Sequence, residues 1–500
     1  MKTRTRLFIR TAAFLLVLFL LIQLISSILM EKWKAFNTIA ETYITDQYNH
    51  LEHNSVELAV LGSSQTVAGF SGIHLLEQFG IRSFSPSTSN QPMICTCYYA
   101  KQMMKTQQLK AAVIDVSMLY EKVFPTGFRR VADTAPFSID KLKLILNHSS
   151  YLIKKSGWKK NMRTIWSYFF PFMQYHDRWE SLTKTDFGQT ECGPFVFCGN
   201  TSQIARQSVT DIILEDKPDS AADELPDENQ LYWFREMIDA FQQAGIPVLL
   251  IKTPKYDWTP ARYRGVCALA EEYGLEYLDF NTRALFDDAG LNAEQDFSNP
   301  EHLNYSGAIK LTDYLAEYLC RRVSFNKCVL TAEDEQDLAD FHAILRKNEL
   351  MLTDDAVTVL SCAADGDCTL LLQIDEGAAL PEAIRKKLEP FGFHADQAGI
   401  EHQDFFGLYT GNTLVYERYG AKKYSSALPS GLKLELKRET DKNLPVLYLN
   451  ETAVSFPEPG VHIVISADRY PNIIRAGTLS ADENGMLSFT PSSGLTFSAD

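Results

Sequence analysis

The chain has no excess of positive charge. Its 500 residues include 48 Lys and Arg against 63 Asp and Glu, which gives a formal net charge of −15 at pH 7. Proteins that bind nucleic acid or anionic polymers carry clusters of Lys and Arg, because these side chains neutralise the charge of the ligand. The composition therefore argues against nucleic acid as a partner, and against an anionic glycan held by charge alone.

The sequence also has no Cys or His residues at the spacing that zinc ligands have. Cys95 and Cys97 are separated by one residue, which is closer than zinc ligands are, and no cluster of His accompanies any pair of cysteines. The sequence therefore implies no metal and no organic cofactor. The nine cysteines form an odd set, and three close pairs could form disulfides outside the membrane: Cys192/Cys198, Cys320/Cys328 and Cys362/Cys368.

A cleavage site of the Ala-x-Ala kind is missing before Glu31, although a long apolar segment precedes it. Thr11–Met30 is uncharged, and twenty residues at about 1.5 Å each cover the roughly 30 Å hydrocarbon layer. We expect an uncleaved anchor, with a cleaved signal peptide as the alternative. By the positive-inside rule, the basic residues before the segment predict a cytoplasmic amino end and an extracytoplasmic chain after about residue 35; they are Lys2, Arg4, Arg6 and Arg10.

Between residues 50 and 330, short apolar segments alternate with amphipathic ones. Leu58–Leu61, Ala111–Val116 and Pro247–Ile251 are almost wholly apolar, as strands buried on both faces are. Leu231–Gln243 and Ala261–Tyr273 have helical periodicity. The alternation predicts an α/β domain with a doubly wound parallel sheet, in which ligands bind at the carboxyl ends of the strands.

Two segments more than two hundred residues apart could supply a nucleophile and a base. Leu58–Leu61 breaks at Gly62 into Ser63 and Ser64, and His302 stands just before an amphipathic helix. A serine hydroxyl becomes an effective nucleophile when an imidazole takes its proton, and a third group must hold the imidazole in one tautomer. The pair predicts Ser64 as nucleophile and His302 as base. Taken singly, Ser64 could be a helix N-cap and His302 a surface residue.

Gly62-Ser63-Ser64 resembles the Gly-Asp-Ser block of the SGNH/GDSL hydrolases. His302-Leu303-Asn304 followed by Gly307 resembles the C-terminal histidine block of their membrane-anchored branch, the DltD-like and AlgX/AlgJ-like proteins that modify cell walls and exopolysaccharides. The resemblance implies a flavodoxin-like three-layer fold and an extracytoplasmic carbohydrate esterase or O-acyltransferase. It also implies a cell-wall or secreted polysaccharide as the substrate, and a membrane-bound acyl-exporting protein as a partner.

The chain departs from the family pattern at the third catalytic position. Asn299 stands where the family has Asp, three residues before the histidine, and Asp296 could replace that carboxylate if the loop folds back. An amide oxygen can accept the imidazole N–H, but it has no charge to stabilise an imidazolium. The departure motivates an alternative function, in which a catalytically degenerate SGNH domain binds glycan or an assembly partner.

The segment expected to bind the oxyanion also differs. Phe84–Pro92 resembles the Asn-x-Gly-Thr-Ser segment of the family, with Ser85 in place of Asn and Ser87 in place of Gly. We expect the oxyanion to be bound by the N–H groups of Ser64 and Ser87 and by the side chain of Asn90. The Gly-x-Asn-Asp block of the wider family is missing after Ala111–Val116, where Asp115 and Ser117 stand.

Residues 120–230 interrupt the α/β pattern with an insertion rich in aromatic residues, including Trp158, Trp166, Tyr168, Phe169 and Phe170. These side chains could pack in a core, or they could form a lid or a sugar-stacking wall over the site. His176-Asp177-Arg178-Trp179 resembles a His-x-Arg-Trp segment of the anchored SGNH branch. Outside the insertion, Lys252 and Pro254 follow the Pro247–Ile251 strand and are expected at the same sheet edge, although Lys252 could equally be a solvated side chain.

Residues 335–500 have a different character. A helical stretch, Glu333–Asn348, is followed by strand-like runs separated by Gly, Pro, Asp and Asn, which predicts a β-rich α+β domain. The runs are Thr369–Ile374, Leu432–Leu436, Val446–Leu449 and Val461–Ile465. The order of an apolar strand, Asp375-Glu376-Gly377, a helix around Pro381–Leu388 and Phe391-Gly392-Phe393 loosely resembles an ILEI-type domain, which implies an accessory module.

Overall fold

A computed structural model of the chain describes residues 2–30, 32, 40–187, 196–219, 224–364, 367–395, 404–438, 445–454, 456, 458–468 and 474–492. The chain divides into two compact units, Met1–Leu338 and Ala339–Asp500.

In the first unit, helices alternate with short strands. Its elements in chain order are α1 Lys2–Leu29, α2 Ala40–His50, β1 Leu58–Leu61, α3 Ser64–Gly69, α4 Gly72–Phe79, β2 Ser83–Phe84, α5 Met93–Thr106, β3 Ala111–Asp115, α6 Pro125–Thr134, α7 Ile139–Ser156, α8 Trp158–Phe169, α9 Phe172–Tyr175, α10 Glu228–Gln243, β4 Val248–Lys252, α11 Pro260–Tyr273, β5 Glu276–Asp279, α12 Arg283–Asp288, β6 Phe297–Asn299, β7 His302–Leu303 and α13 Tyr305–Cys320. Short 3-10 turns lie at Ser117–Leu119, His176–Glu180, Lys184–Phe187 and Leu214–Asp216.

Five strands form a parallel sheet in the order β2-β1-β3-β4-β5. From β1, the next strand in the chain, β2, lies on one side, whereas β3, β4 and β5 follow one another on the other side. The strand order therefore reverses between β1 and β3. Because loops that leave the carboxyl ends of β1 and β3 diverge there, an open α/β sheet has a crevice at such a point. Gly62 and Ser64 follow β1 at this position.

Helices cover both faces of the sheet. Ala59 and Leu61 of β1 belong to a buried cluster with residues of α5 and α10, whereas Leu58 and Val60 belong to a cluster with residues of α4 and α13. Successive side chains of a strand point to opposite faces, so a strand that is covered on both sides must be apolar throughout. This requirement explains the continuous apolar runs of β1, β3 and β4.

One helix, α1, is long and apolar enough over Thr5–Leu29 to cross a membrane. Many of its large apolar side chains between Leu7 and Ile25 are exposed. The insertion that follows β3 is helical and contains α6, α7, α8 and α9.

The second unit is mainly antiparallel β-structure, and α14, Ala332–Leu352, contains the boundary between the units. The further elements are α15 Ala356–Ala364, β8 Cys368–Ile374, α16 Glu382–Leu388, β9 Phe405–Thr410, β10 Thr413–Tyr419, β11 Lys423–Ala427, β12 Lys433–Arg438, β13 Pro445–Leu449, β14 Thr452–Val454, β15 Val461–Ala467, β16 Ile474–Ala481 and β17 Leu487–Pro491. They form a six-stranded sheet, β10-β9-β8-β15-β16-β17, and a four-stranded sheet, β11-β12-β13-β14.

The expected disulfides are not formed where the structure describes both cysteines. Cys320 and Cys328 carry free thiols, and the Cys328 backbone N–H instead donates to the Gly80 carbonyl over 2.9 Å. Cys368 in β8 also carries a free thiol, so it is not bonded to Cys362. The pair Cys192/Cys198 lies outside the described residues because Cys192 does.

Candidate active site

Ser64 lies at a tight turn between β1 and α3. A Cβ atom on Gly62 would be 2.7 Å from Thr66 Cγ2 and 3.1 Å from the Cβ of Asp115, so the turn has room only for glycine. Ser63 has extended backbone angles and precedes the first helical residue. The other residues of α3 are buried, whereas Ser64 is half-buried. The turn therefore holds one serine hydroxyl at the carboxyl edge of the sheet.

His302 lies in a short hairpin, in which it pairs with Asn299 across β6 and β7. Asn304 ends the hairpin and caps α13, because its Oδ1 accepts from the Gly307 N–H over 3.1 Å. Gly307 packs against the Asp296 carbonyl, and a Cβ atom there would be 2.5 Å from that oxygen. The Asn and Gly that follow His302 in the sequence thus fix the histidine strand against the start of α13.

Ser64, His302 and Asn299 form a hydrogen-bonded chain. His302 Nε2 is 2.9 Å from Ser64 Oγ, and His302 Nδ1 is 3.0 Å from Asn299 Oδ1. The backbone N–H of Glu301 also donates to Asn299 Oδ1, over 2.9 Å, which identifies that atom as the acceptor end of the amide. Nδ1 therefore carries the ring proton, and Nε2 presents a lone pair to the serine hydroxyl.

The structure does not place Asp296 at the orienting position. Its Oδ2 accepts from Lys310 Nζ and from the Asn292 N–H, both over 2.7 Å. The side chain is buried and binds the preceding turn and α13, so the loop does not fold back toward His302 as the sequence allowed. Asn299 occupies the position beside Nδ1.

Ser87 supports the turn that carries Ser64. Its buried Oγ accepts from the Gly62 N–H over 3.1 Å and from Thr66 Oγ1 over 2.9 Å, and Ser85 Oγ donates to it over 3.1 Å. Within the described part of the chain, neither the Ser64 N–H nor the Ser87 N–H donates a hydrogen bond. Neither N–H is therefore engaged by the described residues, and the Ser87 side chain has a further role that the sequence did not indicate.

Asn90 is not part of this arrangement. It is exposed, has a backbone φ of 52°, and its carbonyl oxygen packs against Gly127. Among the described residues no hydrogen bond joins Asn90 to Ser64. The structure therefore gives no contact between the expected amide donor and the serine among the described residues.

Two further connections hold the serine and histidine segments together, and sequence reasoning missed both. Gln65, the residue after the serine, donates from Nε2 to the Glu301 carbonyl over 2.7 Å. Ser202 Oγ donates to the Leu303 carbonyl over 2.8 Å, and Asn200 Nδ2 donates to the Thr66 carbonyl over 2.9 Å. The second connection comes from the end of the insertion, where no strand or helix pattern marked it.

Burial and nearby positive charge lower the pKa of His302. The pKa falls to about 4, first because burial disfavours the charged ring, and then because Lys255 and Lys252 repel it. The imidazole is consequently neutral above about pH 5, which is the form that can accept a proton from serine.

Lys252 is buried beside the site, so the alternative of a solvated side chain is wrong. Its Nζ donates to the Thr253 carbonyl and lies 5.0 Å from the centroid of the Trp258 ring. Burial lowers the pKa of Lys252 to about 8, while Asp115 and Asp279 counteract that shift. Asp115 in turn accepts from the Thr253 N–H over 2.9 Å. A buried lysine between two aspartates thus lies under the carboxyl ends of β3, β4 and β5.

The aromatic residues of the insertion divide into two groups. Tyr168 is buried, as core packing requires, but Trp158 and Trp166 are 47% and 46% exposed. The His-x-Arg-Trp segment lies at the end of α1, because Arg178 donates to the Leu29 carbonyl over 2.7 Å.

No family model matches the chain, and no curated protein matches it. Within the described residues, no group of three or more His, Cys, Asp or Glu side chains could hold a metal ion.

Proposed function

We propose that this protein is an SGNH-type ester hydrolase or O-acyltransferase that acts outside the cytoplasm on a cell-wall or secreted polysaccharide. The observation that carries the proposal is the hydrogen-bonded chain from Ser64 through His302 to Asn299. It lies beside the point where the strand order 2-1-3-4-5 reverses, which is the ligand-binding position of flavodoxin-like doubly wound folds.

The geometry supports a covalent mechanism in two steps. Ser64 Oγ attacks the carbonyl carbon of an acyl ester while its proton moves to His302 Nε2, and the Ser64 and Ser87 N–H groups stabilise the oxyanion. The tetrahedral intermediate expels the sugar alkoxide, which takes the proton from His302, and the acyl group stays on Ser64. Water then attacks the acyl-enzyme in hydrolysis, or a sugar hydroxyl attacks it in transfer, with His302 again as base.

Asn299 weakens this mechanism less than its neutral side chain suggests. In serine proteases, replacing the orienting Asp by Asn costs about 10⁴ in kcat because the histidine adopts the wrong tautomer. Here the Glu301 N–H holds the Asn299 oxygen toward Nδ1, so the tautomer is the productive one. What is missing is the negative charge that would stabilise the imidazolium.

The membrane setting is part of the proposal. The α1 helix would act as a single-pass signal anchor, with the basic residues before Thr11 in the cytoplasm and the bulk of the chain outside. A membrane-bound acyl-exporting protein is a partner consistent with a transferase. The second unit would serve as an ILEI-like accessory module.

Asn299 also favours a second candidate function. A domain that has lost the carboxylate, and whose exposed Asn90 makes no hydrogen bond to Ser64 among the described residues, could bind glycan or an assembly partner without chemistry. The two candidates differ in whether Ser64 forms a covalent bond to the substrate.

Acetate release from acetylated polysaccharides by the full chain in detergent micelles tests the enzyme proposal. We expect release with wild-type protein and none with Ser64→Ala, and a sugar acceptor that raises turnover would identify transfer. Binding of the glycan by both proteins, without acetate release or transfer by either, would support the binding function instead.

A further inference from the structure

Helix α8 has large apolar side chains on its exposed surface. Trp158, Met162 and Trp166 recur every four residues and are 47%, 46% and 46% exposed. Because residues four apart lie on the same side of a helix, they form one row along α8. The buried side of the helix is formed by other residues, among them Ile165 and Tyr168. The row is therefore additional to the packed core.

Basic side chains lie next to this row. Lys159, Lys160 and Arg163 are exposed on α8, and Lys154 and Lys155 end α7 just before it. An apolar stripe with Trp beside a basic stripe is typical of a helix that lies in the interface of a membrane with anionic lipids.

More exposed apolar residues belong to the same insertion. Phe137, Phe172 and Trp179 are 78%, 41% and 66% exposed. We call these three residues, together with the row on α8, the apolar platform. Exposed aromatic residues on this scale usually mark a surface that is covered by a partner or by lipid.

The insertion also packs against the end of α1. A cavity of about 310 Å³ is lined by Ser26, Ser27 and Met30 of the N-terminal segment and by Phe137 and Phe170 of the insertion. Leu29 and Tyr175 are buried against each other. The membrane-spanning helix and the insertion thus meet at the last two turns of α1.

Arg178 fixes this junction. It donates to the Leu29 carbonyl over 2.7 Å, where α1 ends, and to Asp186 over 2.9 Å. The C-terminal end of a helix has carbonyls without an intrahelical partner and a partial negative charge. An arginine there donates to such a carbonyl and offsets the charge. The His-x-Arg-Trp segment therefore connects the anchor to the insertion, and it leaves Trp179 exposed at the junction.

The length of α1 sets the depth of the junction. Arg10 is the last charged residue before Glu31, and a hydrocarbon layer of about 30 Å needs about 20 residues of helix. A layer that begins after Arg10 consequently ends near Met30. The insertion contacts α1 at Leu29 and lines a cavity together with Gln23, Ser26, Ser27 and Met30. This places part of the insertion at the level of the outer lipid layer.

We propose that the apolar platform is a second membrane-binding surface, which inserts into the outer interface of an anionic bilayer beside α1. The occupant of the exposed row is lipid. Trp166 stacks against Phe170, which lines the cavity beside the end of α1, so the row lies next to the helix that can span the membrane. The charged residues beside the row on α8, Lys159, Lys160 and Arg163, are all positive. The inference relies on α1 as an anchor, and it is independent of the proposed reaction. Trp and Tyr prefer this interface because their rings are apolar and carry a polar N–H or O–H.

The test uses the full chain in lipid nanodiscs with brominated acyl chains, which quench the emission of tryptophans in contact with lipid. We expect quenching in the wild type, and a loss of part of the quenched emission in Trp158→Phe and in Trp166→Phe. Phe preserves the apolar surface, so both variants should fold. Trp233→Phe, on α10, is the matched control and should leave the quenched emission unchanged.

The charges are tested in the same discs. Quenching should be stronger with anionic than with zwitterionic lipid, and Lys159→Gln/Lys160→Gln should reduce that difference. Two results together would overturn the proposal. The quenched emission would be the same in Trp158→Phe and Trp166→Phe as in the wild type, and aqueous iodide would quench Trp158 and Trp166 in the wild type. Protection from iodide without quenching by bromolipid would overturn it as well, because a second copy of the chain would then cover the platform. A chain that does not co-elute with the discs would instead refute the anchor.

Discussion

The amide oxygen of Asn299 is 3.0 Å from Nδ1 of His302, and the Glu301 N–H donates to the same oxygen. An N–H group can donate to the oxygen of an amide but not to its NH₂ group, so this hydrogen bond fixes the direction of the Asn299 side chain. Because the amide oxygen also faces Nδ1 of His302, Nδ1 must carry the ring proton. The site has the orientation of a catalytic triad without its negative charge.

Asn299→Asp should increase activity. The carboxylate would stabilise the imidazolium that forms when Ser64 attacks, so we expect kcat/KM to rise by about tenfold or more. The same charge raises the pKa of His302 from about 4, so the acid limb of the pH–rate profile should move to higher pH. Asn299→Ala, which removes the acceptor, should reduce the rate. An esterase activity that responds to neither change would contradict the role of Asn299.

Lys255→Gln should shift the acid limb without removing any group of the hydrogen-bonded chain. Lys255 lowers the pKa of His302 by charge repulsion, so removing the positive charge raises that pKa, and the limb should move upward by about half a unit to one unit. The pH dependence of kcat/KM measures the shift. Lys101→Gln on α5 is the control and should leave the profile in place; equal profiles for all three proteins would refute the electrostatic assignment.

Ser64→Ala and His302→Ala should each abolish ester hydrolysis, and the double variant should be no worse than either single variant. A nucleophile without its base is already almost inactive, so the two losses do not add. Steady-state rates with an activated aryl acetate provide the comparison, and Ser63→Ala should retain activity. Losses that multiply would mean that the two residues act separately.

Gly62→Ala should destabilise the protein and reduce its activity, because the new Cβ would be 2.7 Å from Thr66 Cγ2. Overpacking of this kind costs about 1–3 kcal/mol. Adding Thr66→Ser removes that methyl group and keeps a hydroxyl for Ser87, so the double variant should recover part of the stability, while the close contact with the Cβ of Asp115 remains. Chemical denaturation measures both effects. A Gly62→Ala protein as stable and active as wild type would show that the turn does not need glycine.

The sequence predicted three of the five strands of the parallel sheet, because burial on both faces forces continuous apolar runs. Leu58–Leu61 was predicted with the bounds that β1 has, β3 ends one residue before its predicted end, and β4 is shifted by one residue at both ends. The amphipathic strand β5, Glu276–Asp279, was not predicted, because it has a charge at each end and half-exposed residues between them.

Ser64, His302 and Asn299 could be predicted as neighbours because a serine nucleophile needs an imidazole base held by a third group, and because their segments resemble the SGNH blocks. The contacts of Gln65, Asn200 and Ser202 could not, since side-chain bonds to distant carbonyls leave no periodic pattern in the sequence. For the same reason the sequence left Asp296 open as a substitute for Asn299 in orienting His302. Only the path of the loop distinguishes them.

The most direct test of the central claim is covalent labelling of Ser64 by a fluorophosphonate, which reacts with a serine hydroxyl only when a neighbouring base activates it. Intact-mass measurement and peptide mapping of the full chain should find one adduct, on Ser64, in wild-type protein and in Ser63→Ala. Both Ser64→Ala and His302→Ala should remain unlabelled. A folded wild-type chain that forms no adduct, or an adduct that persists in Ser64→Ala, would contradict the assignment of Ser64 and His302 as nucleophile and base.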